Sequence, residues 1–136
     1  MFSLSRAQVG DQLPSLRIPP LTRHTLALYC GGSGDHTPAH TDIDYARENG
    51  LGDVIGHGML SMAYAGRLLS EIAPPEALRS FSVRFSKMTR VGDQLTCSGQ
   101  VMERTTDSGT TYYRLNIKAT TEDGATVVAG DAVIAI

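Results

Sequence analysis

The sequence contains little cysteine. Its two cysteines, Cys30 and Cys97, stand alone in a chain of 136 residues and form none of the closely spaced pairs that structural zinc sites use. A reduced, buried thiol is the simplest interpretation of each, with a disulfide as the less favoured alternative. The scarcity of cysteine therefore argues against a cysteine-ligated metal centre and against a fold held together by disulfides.

The sequence also lacks an excess of charge and any long apolar run. Its 12 basic and 14 acidic residues give a net charge of −2, which offers no electrostatic basis for binding nucleic acid. No stretch approaches the roughly 20 apolar residues of a membrane span. Residues 1–6 lack the apolar core of a signal peptide. We therefore expect a cytoplasmic protein without a nucleic-acid or membrane partner.

The remaining composition is typical of a folded globular protein, with 41% hydrophobic and 19% charged residues. A chain of this length is the size of one domain and buries roughly two thirds of its unfolded surface. No internal repeat, linker or low-complexity segment divides it. We therefore predict a single domain over residues 1–136.

One short strand and two helices are predicted within residues 13–49. Residues 13–18 have the pattern of an edge strand. Thr22 is placed to cap a helix over residues 23–31, and the glycines that follow are expected to end it. Asp42 is placed to cap a second, short helix over residues 43–49. The glycine-rich loop between these two helices contains a proline, which excludes one continuous helix.

A third helix is predicted over residues 58–73, where two prolines end it. Between residues 58 and 66 the only polar side-chain groups are Ser61 and the Tyr64 hydroxyl. A helix that is apolar on every side is normally surrounded by the rest of its protein. The pattern therefore predicts a central helix that is buried all round.

From residue 78 onward the apolar residues recur with a period of two, which is typical of strands with one buried and one solvent-exposed face. The predicted strands centre on residues 81–85, 95–101, 113–119 and 127–136. The last one is apolar on both faces except at Asp131, so we place it in the interior of the sheet. The fold class is α+β, with a five-stranded antiparallel sheet wrapped around a central helix. Because such a sheet leaves an edge unprotected, we expect two copies to pair through their edges.

The loop between the first two helices carries a motif that resembles a known family. The matching residues are Tyr29, Gly32, Ser33, Gly34, Asp35, Pro38, His40 and Ala46. This arrangement is similar to the signature of the MaoC-like, hydratase-2 branch of the hotdog fold. Residues 55–60 resemble the start of the central helix in that family, and the likeness extends over residues 8–136. Thr37 departs from the pattern, since the family usually has Asn there, and Ala39 replaces a larger apolar residue.

The resemblance implies the reversible hydration of trans-2-enoyl thioesters to (3R)-3-hydroxyacyl thioesters, with coenzyme A or an acyl carrier protein as thiol and no separate cofactor. It also implies that Asp35 and His40 hold one water between them as catalytic residues. An imidazole and a carboxylate can exchange protons near neutral pH. Residues five apart do not share a helix face, but the turn over residues 34–38 can bring them together. The sequence leaves open which of the two takes the proton first.

Further residues are candidates for binding the thioester. By its position in the motif, Gly58 would donate its N–H to the thioester oxygen at the helix start, where N–H groups are unpaired. His57 is a second candidate for contacting the thioester at the helix start, or it could cap the helix or serve as a packing residue. Arg84, Lys87 and Arg90 could meet phosphates of the substrate or an acidic carrier, or could be ordinary solubilising charges.

No metal site is predicted. His36 and His40 have the spacing of a zinc pair on a helix, but Pro38 lies between them and breaks the helix which that spacing requires. The sequence therefore gives no ligand set for a metal.

Two other functions remain as alternatives. A hotdog thioesterase commonly has a carboxylate on the central helix, whereas here the helix has none before Glu71, near its end. A non-catalytic, acyl-thioester-binding subunit of a heterodimer would be expected to lose the aspartate or the histidine, and both are present. The chain can act as a homodimer or pair with a related subunit.

Overall fold

Five antiparallel strands form one sheet in the computed structural model, which describes residues 2–136. The strands are β1 (Leu16–Arg17), β2 (Leu78–Phe85), β3 (Thr96–Asp107), β4 (Thr110–Thr120) and β5 (Thr126–Ala135). Their order across the sheet is β1-β3-β4-β5-β2. Three helices accompany them: α1 (Arg23–Ser33), α2 (Ile43–Glu48) and α3 (Gly58–Ile72). The predicted α+β class and antiparallel sheet are confirmed.

Helix α3 packs on the sheet formed by β2, β3, β4 and β5. Its buried face contributes Ala65, Leu68 and Leu69 to the main core. Alternate side chains of β4 supply the facing layer, and they are Tyr113, Leu115, Ile117 and Ala119. The period-two pattern read from the sequence therefore corresponds to one buried and one exposed face of β4. This packing fixes the position of the N-terminal end of α3, at which the candidate site lies.

The prediction that α3 is buried on every side is wrong for the single chain. Met59 at its start is 55% exposed, and Ala63 one turn later is also exposed. The sheet covers only one side of the helix, and within residues 2–136 no strand lies beside the outer edge of β2. Phe85 at the end of β2 is 53% exposed on this same side. Apolar residues near the free edge therefore remain uncovered.

The short elements follow the predicted capping residues with shifts in extent. Thr22 caps α1 by accepting the N–H of Thr25, but α1 continues through the glycines to Ser33. Gly34 ends it with φ of +76°, a conformation that suits glycine. Asp42 caps α2 as predicted. Strand β1 is the expected edge strand but has only two residues.

The last strand, the two cysteines and the helix lengths were also predicted from the sequence. Strand β5 lies between β4 and β2, in the interior of the sheet as predicted. Cys30 and Cys97 are both free thiols, with Cys97 buried and Cys30 half-buried. Within residues 2–136, no helix has the length and apolarity needed to cross a bilayer.

Candidate active site

The carboxylate of Asp35 is held by the loop that follows α1. The Asp35 N–H donates to Oγ of Ser33 at 3.1 Å. Oδ1 of Asp35 accepts the N–H of Thr37 at 3.2 Å and the Thr37 hydroxyl at 2.7 Å. Thr37, which departs from the family pattern, thus bonds to the carboxylate through both its N–H and its hydroxyl. With Oδ1 engaged, Oδ2 is left free for another partner.

His40 ends a single 3₁₀ turn, Pro38–His40, and its ring is oriented by a main-chain carbonyl. Nδ1 of His40 lies 2.8 Å from the carbonyl oxygen of Ile55. Because a carbonyl can only accept, Nδ1 carries the hydrogen, and Nε2 of the neutral ring is a bare acceptor. Nε2 lies 3.8 Å from Oδ2 of Asp35. The two residues that were predicted to converge across the turn are therefore side by side.

Ile55 fixes the loop through both of its backbone groups. Its carbonyl accepts from His40, and its N–H donates to the carbonyl of Ala39 at 3.0 Å. The next residue, Gly56, donates its N–H to the carbonyl of Thr89 at 2.8 Å. A Cβ at Gly56 would overlap the Thr89 hydroxyl, so glycine is needed for this close approach. The segment before α3 therefore connects the loop that carries Asp35 and His40 to the segment that follows β2.

The Asp35–His40 pair suits a water molecule. Its two facing atoms are both acceptors, and 3.8 Å is too long for a direct hydrogen bond between them. A water can donate one hydrogen to each. The Asp35 side chain is 45% exposed and that of His40 is 12% exposed, so solvent can reach the pair from the Asp35 side.

The environment lowers the pKa of Asp35 below its ordinary value. The main cause is the hydrogen bond from the Thr37 side chain, followed by the one from the Thr37 backbone, with smaller contributions from His40 and His57. Asp35 is therefore ionised at neutral pH, and its carboxylate is a weaker base than an unperturbed one.

His57 precedes α3 and is packed against the pair. Its ring stacks on that of His40 with centroids 3.8 Å apart. Its Nε2 lies 3.3 Å from the main-chain carbonyl oxygen of Asp35. The side chain is buried, and burial lowers the pKa of His57, with His40 as the next cause. His57 is therefore neutral and lies within the site rather than on its surface.

Gly58 opens onto a groove of about 370 Å³ at the start of α3. The groove is lined by Gly56, Gly58, Ser61, Phe85, Ser86, Lys87, Met88, Thr89 and Val127. As the first residue of α3, Gly58 has an N–H with no acceptor inside the helix. Since Gly58 directly follows His57, the groove and the Asp35–His40 pair are adjacent at this point of the chain.

The three basic candidates occupy different positions. Lys87 lines the groove and has Nζ 3.8 Å from Oδ2 of Asp123. The guanidinium of Arg90 donates to the carbonyl of Leu51 at 3.0 Å. Arg84 alternates with Phe85 along β2 and so lies on the face of the sheet away from α3. The structure therefore brings only Lys87 of these three residues to the groove.

Sequence reasoning missed Ile55 and the binding role of Thr37. Ile55 acts through its backbone, for which a side-chain motif gives no signal. Asp35, His40 and His57 also form one group whose potential ligand atoms all lie within 4.8 Å of one another. Nε2 of His57 is engaged with a carbonyl, and its Nδ1 has no hydrogen-bond partner among residues 2–136. The free atoms of Asp35 and His40 face each other at 3.8 Å.

The chain is similar to characterised proteins over most of its length. The model of the MaoC like domain family matches residues 7–123. The (R)-specific enoyl-CoA hydratase of Rhodospirillum rubrum is 28% identical over 118 residues, which cover 85% of this chain and 80% of that protein. R-Hydratase PhaJ1 from Pseudomonas aeruginosa superimposes with a TM-score of 0.82 and 26% identity, over 96% of this chain and 82% of that one. The (R)-hydratase from A. caviae superimposes with a TM-score of 0.83 and 26% identity, over 95% of this chain and 96% of that one.

Proposed function

Because the chain belongs to the MaoC-like domain family and has the hotdog fold of its R-hydratase neighbours, we propose that it hydrates trans-2-enoyl thioesters reversibly to (3R)-3-hydroxyacyl thioesters. The observation that carries this proposal is the pair of facing acceptors, Nε2 of His40 and Oδ2 of Asp35, at 3.8 Å. A water held by both atoms has its hydrogens engaged and its oxygen lone pairs free to attack a β-carbon.

The tautomer of His40 supports His40 as the base. In the neutral ring Nε2 is the nitrogen without hydrogen, because Nδ1 donates to the Ile55 carbonyl, and the lowered pKa of Asp35 makes its carboxylate the weaker base. In hydration, Nε2 takes one proton from the water as the hydroxyl oxygen bonds to the β-carbon. The imidazolium that forms is stabilised by Asp35 and by the Ile55 carbonyl. It then gives the proton to the α-carbon, so the double bond is replaced by one C–O and one C–H bond.

The thioester oxygen gains charge as the double bond accepts the hydroxyl. Gly58 supplies an unpaired N–H at the positive end of α3, which can stabilise that charge. Its lack of a side chain leaves room in the groove for a carbonyl to approach. Lys87, on the wall of the groove, is the residue best placed to meet a phosphate of coenzyme A or of a carrier-bound pantetheine. No cofactor apart from this carrier is part of the proposed reaction.

The working form is proposed to be a dimer that pairs through β2. In the described part of the chain the outer edge of β2 has no neighbouring strand, and Leu78 and Phe85 at its two ends are 38% and 53% exposed. Met59 of α3 is exposed as well. A second copy placed at this edge would bury these side chains and continue the sheet. A related hotdog subunit could occupy the same edge in a heterodimer.

The proposal is tested with trans-2-enoyl-CoA esters of increasing length, offered to the purified chain. Hydration removes the absorbance of the conjugated thioester without releasing free thiol. Chiral analysis of the product from crotonyl-CoA should then give (3R)-hydroxybutyryl-CoA. Release of coenzyme A with the double bond intact would identify a thioesterase instead, and an S product would contradict the assigned stereochemistry.

A further inference from the structure

His57 is a buried polar side chain that contacts both members of the catalytic pair. Its side chain is only 1% exposed. The ring stacks on His40 with an interplanar angle of 24°, and the edge of Tyr29 meets it at a centroid distance of 4.8 Å. Its Nε2 reaches the main-chain carbonyl of Asp35 at 3.3 Å. One side chain thus links the backbone at Asp35 to the ring at His40.

The hydrogen-bonding state of His57 leaves it no route for proton transfer. Nε2 must be the donor, because its partner is a carbonyl oxygen. Nδ1 is therefore a bare acceptor, and it is buried without a hydrogen-bond partner among residues 2–136. A buried acceptor that makes no hydrogen bond is unfavourable for folding, so a phenyl ring would fill the same space at less cost. Stability alone does not explain why a histidine occupies this position.

We propose that His57 is a positioning residue, which holds the peptide after Asp35 through its Nε2–H and supports the ring of His40 face to face. It neither contacts the substrate nor exchanges protons. This inference rests on the proposed hydration and replaces the alternative that His57 binds the substrate directly. Its function is to keep Oδ2 of Asp35 and Nε2 of His40 at the separation that one water spans.

Two substitutions separate the contacts. His57→Phe keeps a ring to stack on His40 but removes the N–H that holds the Asp35 carbonyl. His57→Gln keeps a donor of similar reach but removes the ring. His24, an exposed histidine of α1, provides matched controls as His24→Phe and His24→Gln. Each variant is measured for kcat, for KM, for its melting curve and for the backbone order of the His36 amide by nitrogen-15 relaxation.

We expect each His57 variant to lose roughly 10-fold in kcat with KM within about 2-fold of the wild type, since misplaced groups slow the chemistry more than binding. His57→Phe should melt no lower than the wild type. The amide of His36 shares a peptide plane with the carbonyl of Asp35. Its order should therefore fall in His57→Phe and be kept in His57→Gln. Both His24 variants should match the wild type in every measurement.

Wild-type kcat in both folded His57 variants would overturn the inference. A loss as large as that of His40→Gln, with the order of the His36 amide unchanged, would also overturn it, because His57 would then take part in the chemistry itself. If the phenylalanine variant does not fold, the glutamine variant still decides through kcat. The amide measurement needs no substrate, so it tests the positioning role even if the wild type hydrates no enoyl thioester and the proposed function is wrong.

Discussion

Nε2 of His40 and Oδ2 of Asp35 face each other at 3.8 Å, and neither atom has a hydrogen to donate to the other. Each group is oriented through its other polar atom. Oδ1 of Asp35 is bonded by Thr37, and Nδ1 of His40 is bonded to the Ile55 carbonyl. The two free atoms are thus held by the loop before any ligand arrives, which reduces the reorganisation that the reaction requires.

Substitution of either member of this pair should greatly reduce turnover. Asp35→Asn keeps the shape of the side chain but removes the carboxylate charge, and His40→Gln removes the bare imidazole nitrogen. Each should lower kcat by roughly 10² to 10⁴, the usual contribution of general acid–base catalysis. KM should change much less, because neither group is needed to bind the thioester. Steady-state kinetics with crotonyl-CoA measure both constants.

The double variant distinguishes joint action from independent contributions. If the two groups activate one water, Asp35→Asn combined with His40→Gln should be little worse than the worse single variant, since groups that act as a unit are strongly non-additive. Melting curves serve as the control for folding. Turnover near that of the wild type in a folded His40→Gln protein would place the chemistry elsewhere.

Thr37→Val should raise the pKa of Asp35. The Thr37 hydroxyl is the main cause of the lowered pKa of that carboxyl, so its removal moves the pKa back towards its ordinary value. The titration of the Asp35 carboxyl carbon, followed by carbon-13 NMR, should therefore move to higher pH in the variant. Thr41→Val, at an exposed neighbouring position, is the control and should leave that titration unchanged. An unmoved Asp35 titration in Thr37→Val would contradict the assigned cause.

The sequence predicted the fold because its local signals agree with one another. Thr22 and Asp42 cap α1 and α2, and α3 ends just before the two prolines. The apolar alternation in β4 corresponds to its buried face. The extents were less predictable. The glycines at positions 31, 32 and 34 were expected to end α1, and Gly34 does so. The helix continues through Gly31 and Gly32, because a glycine lowers helix stability without forbidding the helical conformation.

Only the side chains of the candidate site could be predicted from the sequence, and not the backbone groups that orient them. The motif places Asp35 and His40 together, and the structure does the same. It could not reveal that the Ile55 carbonyl fixes the tautomer of His40, since any residue has a carbonyl. Nor could it show that Met59 is exposed, because an apolar helix has the same sequence pattern whether one chain or two surround it.

The free edge of β2 predicts self-association. The purified chain should have the mass of a dimer at micromolar concentration by light scattering, since pairing at this edge would cover Leu78 and Phe85. Leu78→Lys, which places a charge at the edge, should shift the mass towards a monomer. Lys118→Leu, on the exposed face of β4, is the control for a change of surface charge and should remain dimeric. A monomeric wild-type protein would contradict the dimer.

Buried His57 should make the protein less stable as the pH falls. Its pKa in the folded chain is lowered from an ordinary value near 6.5, so below that pH the unfolded chain binds more protons than the folded one. The stability due to neutral His57 is thus complete above about pH 6.5 and is lost as the pH falls towards the folded pKa. Asp35 and His40 are the titratable groups whose charges act on it.

Denaturant midpoints measured from pH 7 to pH 5 test this effect. The decline should be shallower in His57→Phe than in the wild type, because phenylalanine has no proton to bind. Asp35 contributes in the same direction but only near and below its ordinary value of 3.8, outside this range. An equal slope in the two proteins would mean that His57 accepts a proton in the folded chain without cost.

Gly58→Pro provides a test of the N–H that is proposed to stabilise the thioester oxygen. Gly58 is the first residue of α3, the helical position that best tolerates proline, and the preceding His57 has φ of −64° and ψ of 131°, as a residue before proline prefers. The helix should therefore form while the donor is lost. Removal of one such donor should lower kcat by roughly 10² to 10³.

Gly58→Ala separates the loss of the donor from the added bulk. It keeps the N–H and adds a Cβ 3.4 Å from the Phe85 ring, which is ordinary van der Waals contact. Its effect should appear mainly in KM, with a smaller loss of kcat than in the proline variant. If both folded variants lose kcat equally, the effect comes from crowding in the groove, and the N–H of Gly58 does not stabilise the oxygen.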